Sequence, residues 1–391
     1  MEQNKRSRNN IIHDYNDNKR KKINKTTVET NCLSKEYITN LEDLSNELIY
    51  EIFEFLDCHH TFQAFYDLNQ RFRNLFLHTN LLIKINISSI SKSKFESYVK
   101  HIIKPHINRI NSLRLSNPFT ADMCLLLFPL MTNLIRLQAL TLIDIEAKYI
   151  EEILNYLSSL PILSSLIIIS IDSIKNPNDI YYKIFRLSAL KYCQISIEMK
   201  QHSRSLSIAT DKFSSIEHLI INNDISIDQL DSLLSYVPQL RRLSIGHLEE
   251  STYNRTQKNS INLTYLTSVS IELDYVSFKD FEVLVANYFH QVQILRIRVF
   301  CIIFSVNHNQ TEYLNADGWQ RLISTCLPNL CVFDFQHTYR ILSSNDQRQA
   351  FETLINKFNS SFWIQHQWFF DFQYHDITWS NAAIFYSINP Y

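Results

Sequence analysis

Residues 240–245 read Leu240-Arg241-Arg242-Leu243-Ser244-Ile245, and this apolar-x-x-apolar-x-apolar pattern occurs nine times between residues 110 and 332. The fourth position is occupied in turn by Leu113, Leu140, Leu166, Leu190, Leu219, Leu243, Val269, Leu295 and Leu330. Successive occurrences lie 24 to 35 residues apart, and most intervals are close to 26. A pattern that returns at a nearly constant interval of this size predicts a repeat architecture.

Each occurrence predicts a short strand followed by a helix. Its last two apolar residues alternate with outward positions, which is the period of a strand with one buried face. The segments between occurrences carry apolar residues at helical spacing, as at Leu230, Leu233, Leu234 and Val237. One such unit cannot bury its apolar face alone, so we expect stacked units that form a parallel strand ladder on one surface and helices on the other.

This repeat resembles a leucine-rich repeat horseshoe. The Asn or Cys that this family places three residues after the strand is replaced here by residues such as Pro118, Ile145 and Asp274. We therefore expect irregular turns. The alternative is an ordinary α/β domain with Leu-rich elements.

Composition narrows the possible function classes. The 391 residues carry a formal charge of −1, which offers no electrostatic case for membrane or specific nucleic-acid binding. Two glycines in the whole chain exclude Gly-rich phosphate loops and dinucleotide fingerprints. The seven scattered cysteines favour a reduced intracellular chain over a disulfide framework.

The N-terminal segment, residues 1–38, is predicted to be a disordered basic tail because its hydrophobicity is too low to offset the ordering entropy. Within it, Lys5-Arg6 is followed by Lys19-Arg20-Lys21-Lys22. That spacing resembles a bipartite nuclear-import signal and implies a nuclear and/or cytoplasmic location. The alternative is a solvated basic tail that carries no localisation signal.

Residues 39–85 change to an apolar, helical pattern. They contain the run from Leu41 through Leu44-Ser45-Asn46-Glu47-Leu48-Ile49 to Ile52-Phe53 and Phe55-Leu56, followed by Phe62, Phe65, Leu68, Arg71-Phe72 and Leu75. This segment resembles an F-box, with Ser45 at the family's usual Pro and Phe72 at its usual Trp.

The F-box resemblance implies a docking surface for a Skp-family adaptor, which links the module to a cullin scaffold. Carried over position by position, it assigns the packing side to Phe65, Leu68 and Phe72. It assigns the adaptor contact to Leu44, Ser45, Leu48, Ile49, Ile52 and Leu56. The alternative is a small helical cap that protects the first repeat, since a cap requires the same apolar residues.

The predicted fold class is therefore α/β, with a small helical F-box followed by a leucine-rich-repeat-like solenoid. We expect a linker or N-terminal cap at residues 86–109, the solenoid at 110–335 and an aromatic-rich C-terminal cap at 336–391. The aromatic segment could instead form a binding pocket.

Recognition of a protein substrate is expected on the outward positions of the later strands. Arg242, Glu272, Arg296 and Arg298 are predicted to share a patch roughly 10 Å across, because neighbouring strands lie about 4.8 Å apart. Arginine's planar fork suits carboxylate or phosphate recognition. The alternatives are ordinary surface charge with Glu272 as an internal partner, and recognition on an apolar stretch of the early strands at Ile143, Ile167 and Ile169.

No set of residues in the sequence predicts catalysis, a metal site or a cofactor. Cys58-His59-His60 has no partner at metal-ligand spacing, and His366, Asp371 and His375 accompany no nucleophile elbow. We expect a non-catalytic substrate-recognition subunit of a cullin-type ubiquitin ligase. The alternatives are a repeat scaffold without a ligase link and, less favoured, an enzyme that uses the aromatic segment as its pocket.

Overall fold

A computed structural model describes residues 40–56, 58–77, 82–88, 92–116, 124–174, 176–197, 206–209, 213–250, 262–300, 311–341, 345–377 and 380–388. The predicted basic tail and its two basic clusters lie outside these residues. The chain divides into two compact units, Met1–Ser45 and Asn46–Tyr391. The described part of the first unit holds one 3₁₀ turn, Leu41–Asp43, in which the Asn40 N–H donates to Asp43 Oδ2 at 2.9 Å.

The second unit is a mixed α/β structure with a twelve-stranded, mostly parallel sheet and twelve α-helices among its described residues. The strands are β1 Ile83–Ser88, β2 Ile110–Ser116, β3 Ala139–Ile145, β4 Ser165–Ser170, β5 Tyr192–Ser196, β6 His218–Ser226, β7 Arg242–Glu249, β8 Ser268–Asp274, β9 Ile294–Phe300, β10 Val332–Ile341, β11 Phe369–Ile377 and β12 Ser380–Ile388. The helices are α1 Asn46–Phe55, α2 Cys58–Phe65, α3 Gln70–Leu77, α4 Lys92–Tyr98, α5 Cys124–Met131, α6 Ala147–Leu157, α7 Pro177–Phe185, α8 Ile227–Leu234, α9 Phe278–Tyr288, α10 Ala316–Cys326, α11 Asn345–Ile355 and α12 Ser361–Gln365.

Strand order in the sheet follows chain order from β1 to β10, and every neighbouring pair in that series is parallel. The last two strands reverse this rule: β12 pairs antiparallel with β10, and β11 pairs antiparallel with β12. Sequential parallel pairing is the arrangement expected when each repeat contacts its neighbours in the chain.

A repeated backbone hydrogen-bond pattern sets the spacing of the strands. Just before each strand from β4 to β10, one carbonyl of the preceding unit accepts two successive N–H groups at 2.7–3.1 Å. The accepting residues are Gln138, Ser164, Lys191, Glu217, Arg241, Thr267 and Gln293. Because most of these carbonyls recur at intervals near 26 residues, the backbone follows the same period as the apolar pattern.

The buried side chains of the strands also follow the repeat. Leu113 pairs with Leu140, Leu140 with Leu166, and the same row continues through Leu219, Leu243, Val269 and Leu295. These seven side chains are at most 2% exposed. The predicted strand positions are therefore confirmed in seven of the nine occurrences.

At two occurrences the predicted strand position is wrong by three residues. The row continues through Cys193 and Phe333 instead of Leu190 and Leu330, since Cys193 pairs with Leu166 and Phe333 with Leu295. Leu190 lies in the turn before β5, where its N–H donates to the Leu187 carbonyl at 3.3 Å. The error arose because two overlapping apolar-x-x-apolar steps occur at each site, and the first of them forms the turn.

Local capping explains where several helices begin. Ser226 precedes α8, and its hydroxyl accepts the Gln229 N–H while the Gln229 side chain accepts the Ser226 N–H. Ser277 caps α9 in a similar way by accepting the Asp280 N–H at 3.1 Å. Such caps satisfy the exposed donors of a first helical turn and fix the end of the preceding strand.

The sheet extends beyond the range predicted for the repeats in both directions. The expected boundary at residues 85/86 falls inside β1, whose Ile85 and Ile87 pair with Leu113 and Leu115. The boundary at 335/336 falls inside β10, and the aromatic C-terminal segment adds β11 and β12 to the same sheet. Residues 86–109 include the end of β1, α4, a π-helical turn Val99–Ile103 and a 3₁₀ segment Lys104–Arg109.

Turns after the strands are irregular. Asp144 and Tyr275 follow the buried rows of β3 and β8 with φ of 58° and 56°, in the left-handed region. The pairing register shifts between Ile143 and Ile145 and again between Ile221 and Asp224. Bulges of this kind bend a strand locally and redirect the side chains beyond them.

Candidate functional site

The first candidate surface lies on the three short helices α1, α2 and α3. Their shared core is aromatic: the Phe53 and Phe65 ring centroids lie 5.1 Å apart, and Phe65 and Phe72 lie 5.5 Å apart. The guanidinium of Arg71 on α3 donates to Asn46 Oδ1, with Nη2 at 2.8 Å, and so ties α3 to the start of α1. The apolar pattern of this segment thus folds into a small packed helical cluster.

Helix α1 presents apolar side chains on its outer side as well. Leu48 is 45% exposed and Phe55 is 90% exposed. Ile52 lies between them in helical spacing and is partly exposed. Leu56, which directly follows the helix, is also partly exposed. An outward apolar stripe on a helix whose other side is already packed is typical of a protein-binding surface.

Two residues of the F-box assignment have different environments from those expected. Ile49, assigned to the adaptor contact, is fully buried beneath the helix, which leaves it no surface to offer a partner. Leu68, assigned to the packing side, is 53% exposed because it lies in the turn between α2 and α3. In the first unit, Leu44 is partly exposed and Ser45 is exposed.

Phe55 is the residue of this surface that the sequence assignment missed. Its spacing from Ile52 is three residues and that of Ile52 from Leu48 is four, so all three share one helical face. This helical spacing is the sequence feature that indicates Phe55 as part of the same surface. The family pattern instead directed attention to Ile49 and Leu56.

A cleft of about 360 Å³ separates helices α1 and α2 from strands β1 and β2. Its lining is mainly apolar and includes Phe53, Leu56, Phe76, Leu82 and Ile83. Lys84 reaches back across it to donate from Nζ to the Glu54 carbonyl at 3.3 Å. Because β1 neighbours it directly, this cleft marks where the helical cluster meets the sheet.

The second candidate surface is the face of the sheet whose side chains are only partly buried. On β8, β9 and β10 it carries the predicted charged patch. Arg298 Nη1 lies 2.9 Å from Glu272 Oε1, and Arg296 Nε lies 3.7 Å from Asp334 Oδ2. Both later arginines thus have carboxylate partners on neighbouring strands. Asp334 also accepts a hydrogen bond from the Ser387 hydroxyl at 3.0 Å.

Arg242 lies apart from this paired group. It pairs in register with Ser268, and Ser268 pairs with Ile294, so Arg242 is two strands away from β9 and four residues behind Arg298. With strands about 4.8 Å apart and residues about 3.3 Å apart, the two Cα atoms are roughly 16 Å from each other. The four predicted residues do not form one compact site: Glu272 and Arg298 are adjacent, and Arg242 faces the earlier strands.

The early strands carry an apolar surface on the same face. We call Ile143, Ile167, Ile169 and Ile220 the aliphatic band; all four are partly exposed. Ile143 pairs directly with Ile169, and Gln194 lies in register between Ile167 and Ile220. Apart from Asp144 at the β3 bulge, none of the partly exposed positions from Ala139 to Asn222 on β3–β6 carries Asp, Glu, Lys or Arg.

A charged network lies at the starts of β5, β6 and β7. Glu217 Oε1 lies 2.9 Å from Lys191 Nζ, and Glu217 Oε2 lies 3.3 Å from Arg241 Nε. The hydrogen bond from Lys191 lowers the pKa of Glu217. Burial and the nearby Arg242 lower the pKa of His218, which keeps this imidazole neutral at pH 7.

A smaller acidic group lies where β6, β7 and β8 end. Asp274 pairs in register with Glu249, and its Oδ1 is buried with no hydrogen-bond partner among the residues that the structure describes. Burial raises the pKa of Asp274, and the negative charges of Glu249 and Asp224 add to this effect.

The side chains considered for catalysis have structural environments. Cys58 is 4% exposed and begins α2. His366 stacks on Trp368 at 4.6 Å, and its Nδ1 lies 2.8 Å from the Phe362 carbonyl. Across the part of the chain that the structure describes, no group of three or more His, Cys, Asp and Glu side chains is placed to hold a metal ion.

Several aromatic side chains of the C-terminal segment are packed inward. Trp363 is fully buried, and Phe358 contacts Trp363, Phe370 and Phe385 with ring centroids 4.9 Å away in each case. These rings fill the space beneath β10, β11 and β12. The described side chains therefore form a core at this end of the sheet.

No protein-family model matches the chain, and no curated protein matches it. Within the described ranges, no helix combines the length and apolar character needed to cross a membrane.

Proposed function

We propose that this protein is the substrate-recognition subunit of a cullin-type ubiquitin ligase, with α1–α3 as an F-box and the strand–helix repeats as a leucine-rich-repeat-like solenoid. In this role α1 docks on a Skp-family adaptor, which connects the chain to the cullin scaffold. The repeats hold a protein substrate so that its lysines reach the ubiquitin-conjugating enzyme. Tethering raises the effective concentration of the substrate without chemistry by this chain.

The observation that carries the proposal is the apolar outer face of α1. Leu48 and Phe55 are 45% and 90% exposed, although the opposite side of the same helix is packed against α2 and α3. Exposing such residues is unfavourable unless a partner covers them. A helical cap that merely protected the first repeat would turn its apolar residues toward the sheet and leave no such stripe.

The test is co-purification with a Skp-family adaptor. The wild-type chain should bind, and the double variant Leu48→Asp, Phe55→Asp should lose the adaptor because an unpaired charge in an apolar interface costs several kcal/mol. Ile388→Asp is the matched control, since Ile388 is 44% exposed but lies on β12. A folded wild-type chain that binds no such adaptor would leave the scaffold without a ligase link as the better description.

The proposed location is the nucleus and/or the cytoplasm, based on the two basic clusters at Lys5-Arg6 and Lys19–Lys22. Replacing the four residues of the second cluster with alanine should shift a fluorescent fusion from the nucleus toward the cytoplasm. An unchanged distribution would leave these residues as a solvating tail.

A further inference from the structure

The aliphatic band is a partly exposed apolar surface on the early strands of the open sheet face. Its four isoleucines lie on β3, β4 and β6, and each remains partly accessible. The strands on either side of the band carry polar side chains at the corresponding open-face positions, which are Ser112 and Ser116 on β2 and Ser244 on β7. Three of the isoleucines lie on the neighbouring strands β3 and β4, and Ile220 lies two strands beyond Ile167 with Gln194 between them. None of the four belongs to the core on the other face of the strands. Their clustering indicates a surface that is covered by something else.

One cation stands at each side of the band. Arg114 on β2 pairs in register with Thr141, the neighbour of Ile143 on β3. Arg242 on β7 pairs in register with His218, two residues before Ile220 on β6. Both arginines are exposed, and neither has a carboxylate within ion-pair distance among the described residues. They differ in this respect from Arg296 and Arg298 at the far end of the same face.

The distance between these two cations defines the length of a ligand. From β2 to β7 there are five strand intervals, which at about 4.8 Å each amount to roughly 24 Å. An extended chain rises about 3.3 Å per residue, so two residues that lie about seven or eight positions apart in the ligand reach from one arginine to the other.

We propose that the band binds an extended segment of a partner protein whose central residues are aliphatic and whose two ends, seven or eight residues apart, are acidic. This inference rests on the proposed role of the repeats in holding a protein substrate, and it names the class of sequence that they select. The central side chains pack on the isoleucines. The terminal carboxylates accept hydrogen bonds from Arg114 and Arg242, for which the planar guanidinium is well suited.

An anionic lipid surface or a nucleic acid fits this face less well. Two cations about 25 Å apart, with only uncharged side chains in the strand row between them, cannot follow a continuous row of phosphates, which requires many closely spaced contacts. A peptide with charge at its ends and aliphatic residues between them matches both the sign and the spacing.

The experiment is a selection from a random library of displayed 12-residue peptides, with the purified full chain as the immobilised target. The wild-type chain should enrich peptides with two acidic residues seven or eight positions apart and aliphatic residues between them. The double variant Arg114→Glu, Arg242→Glu should enrich basic residues at those same two positions. A synthetic peptide of the wild-type consensus should bind the double variant at least tenfold more weakly in fluorescence anisotropy.

Two further variants make the selection specific. Ile167→Ser should reduce enrichment of the aliphatic centre while the acidic ends persist, since it removes apolar contact and no charge. Arg321→Glu on α10 is the control and should select the wild-type consensus, because Arg321 pairs with Glu282 on α9 and lies off the strand face. Circular dichroism of each variant checks its fold. If the charge-reversal variant unfolds, the double variant Arg114→Gln, Arg242→Gln replaces it. This neutral variant should no longer enrich peptides with acidic ends.

The inference is overturned if the wild-type chain enriches no peptide, if its consensus lacks acidic ends, or if the consensus survives the charge reversal. None of these results depends on the adaptor, since the selection uses the isolated chain. Failure of adaptor co-purification would refute the ligase role and leave the peptide preference intact, so the two proposals fail in distinguishable ways.

Discussion

Trp319 on α10 should be among the side chains most important for stability. It is fully buried, and its ring lies 5.1 Å from Phe278, 5.0 Å from Phe333 and 5.3 Å from Phe335, measured between centroids. Its indole N–H donates to the Tyr313 carbonyl at 2.8 Å. The residue therefore joins α9, α10 and β10 through one aromatic cluster.

Replacing Trp319 with alanine removes this packing and leaves a cavity, which typically costs about 3–5 kcal/mol of unfolding free energy. Replacing it with phenylalanine keeps much of the apolar contact but removes the buried hydrogen bond from the indole N–H to the Tyr313 carbonyl, so we expect a loss of about 2 kcal/mol. A loss of about 4 kcal/mol lowers the folding equilibrium constant roughly a thousandfold.

Urea-induced unfolding followed by circular dichroism measures both losses. The control is Phe369→Ala, because Phe369 is also aromatic and lies at the same end of the sheet but is 44% exposed; we expect it to cost less than about 1 kcal/mol. A similar loss in Trp319→Ala and Phe369→Ala, or a loss below about 1 kcal/mol in the former, would refute the assignment of this cluster as a core.

Three further predictions test the strand register, a buried carboxylate and thiol access. Leu295→Ala should cost about 2–5 kcal/mol in urea unfolding, whereas Arg296→Ala on the opposite face should cost less than about 1 kcal/mol; equal costs would contradict the register. Asp274→Asn should raise the melting temperature at pH 7, and this gain should shrink as the pH falls toward 3.8, the ordinary pKa of the carboxyl. The reason is that the pKa of Asp274 is raised in the folded protein, so folding disfavours the charged form that prevails at neutral pH. A gain that does not change with pH would contradict the raised pKa. In the folded protein a thiol reagent should modify the exposed Cys331 at least a hundredfold faster than Cys193, because complete burial raises the pKa of the Cys193 thiol. Mass spectrometry of the labelled protein measures the two rates. Similar rates would contradict the inward placement of Cys193.

The charged patch on β8–β10 differs from the predicted site because its arginines form ion pairs with carboxylates on neighbouring strands. Arg296 and Arg298 are outward on β9, as their alternation with buried residues predicts. Their partners come from sequence positions 38 and 26 residues away, Asp334 and Glu272, and the cross-strand register brings each pair together. The ligand surface proposed here therefore lies on the earlier strands, where Arg114 and Arg242 flank the aliphatic band.

The sequence by itself determined the repeat period, the strand–helix alternation and the buried row in seven of nine units, because these depend on local apolar spacing that burial requires. The tertiary structure alone decided the register at Cys193 and Phe333, the antiparallel ending of the sheet and the pairing of charges across strands. It also decided which side of α1 is buried, so that Ile49 faces the core and Phe55 faces outward. Local periodicity indicates which residues share an apolar face of a helix or strand. Only the packing of distant segments determines which of these side chains become buried.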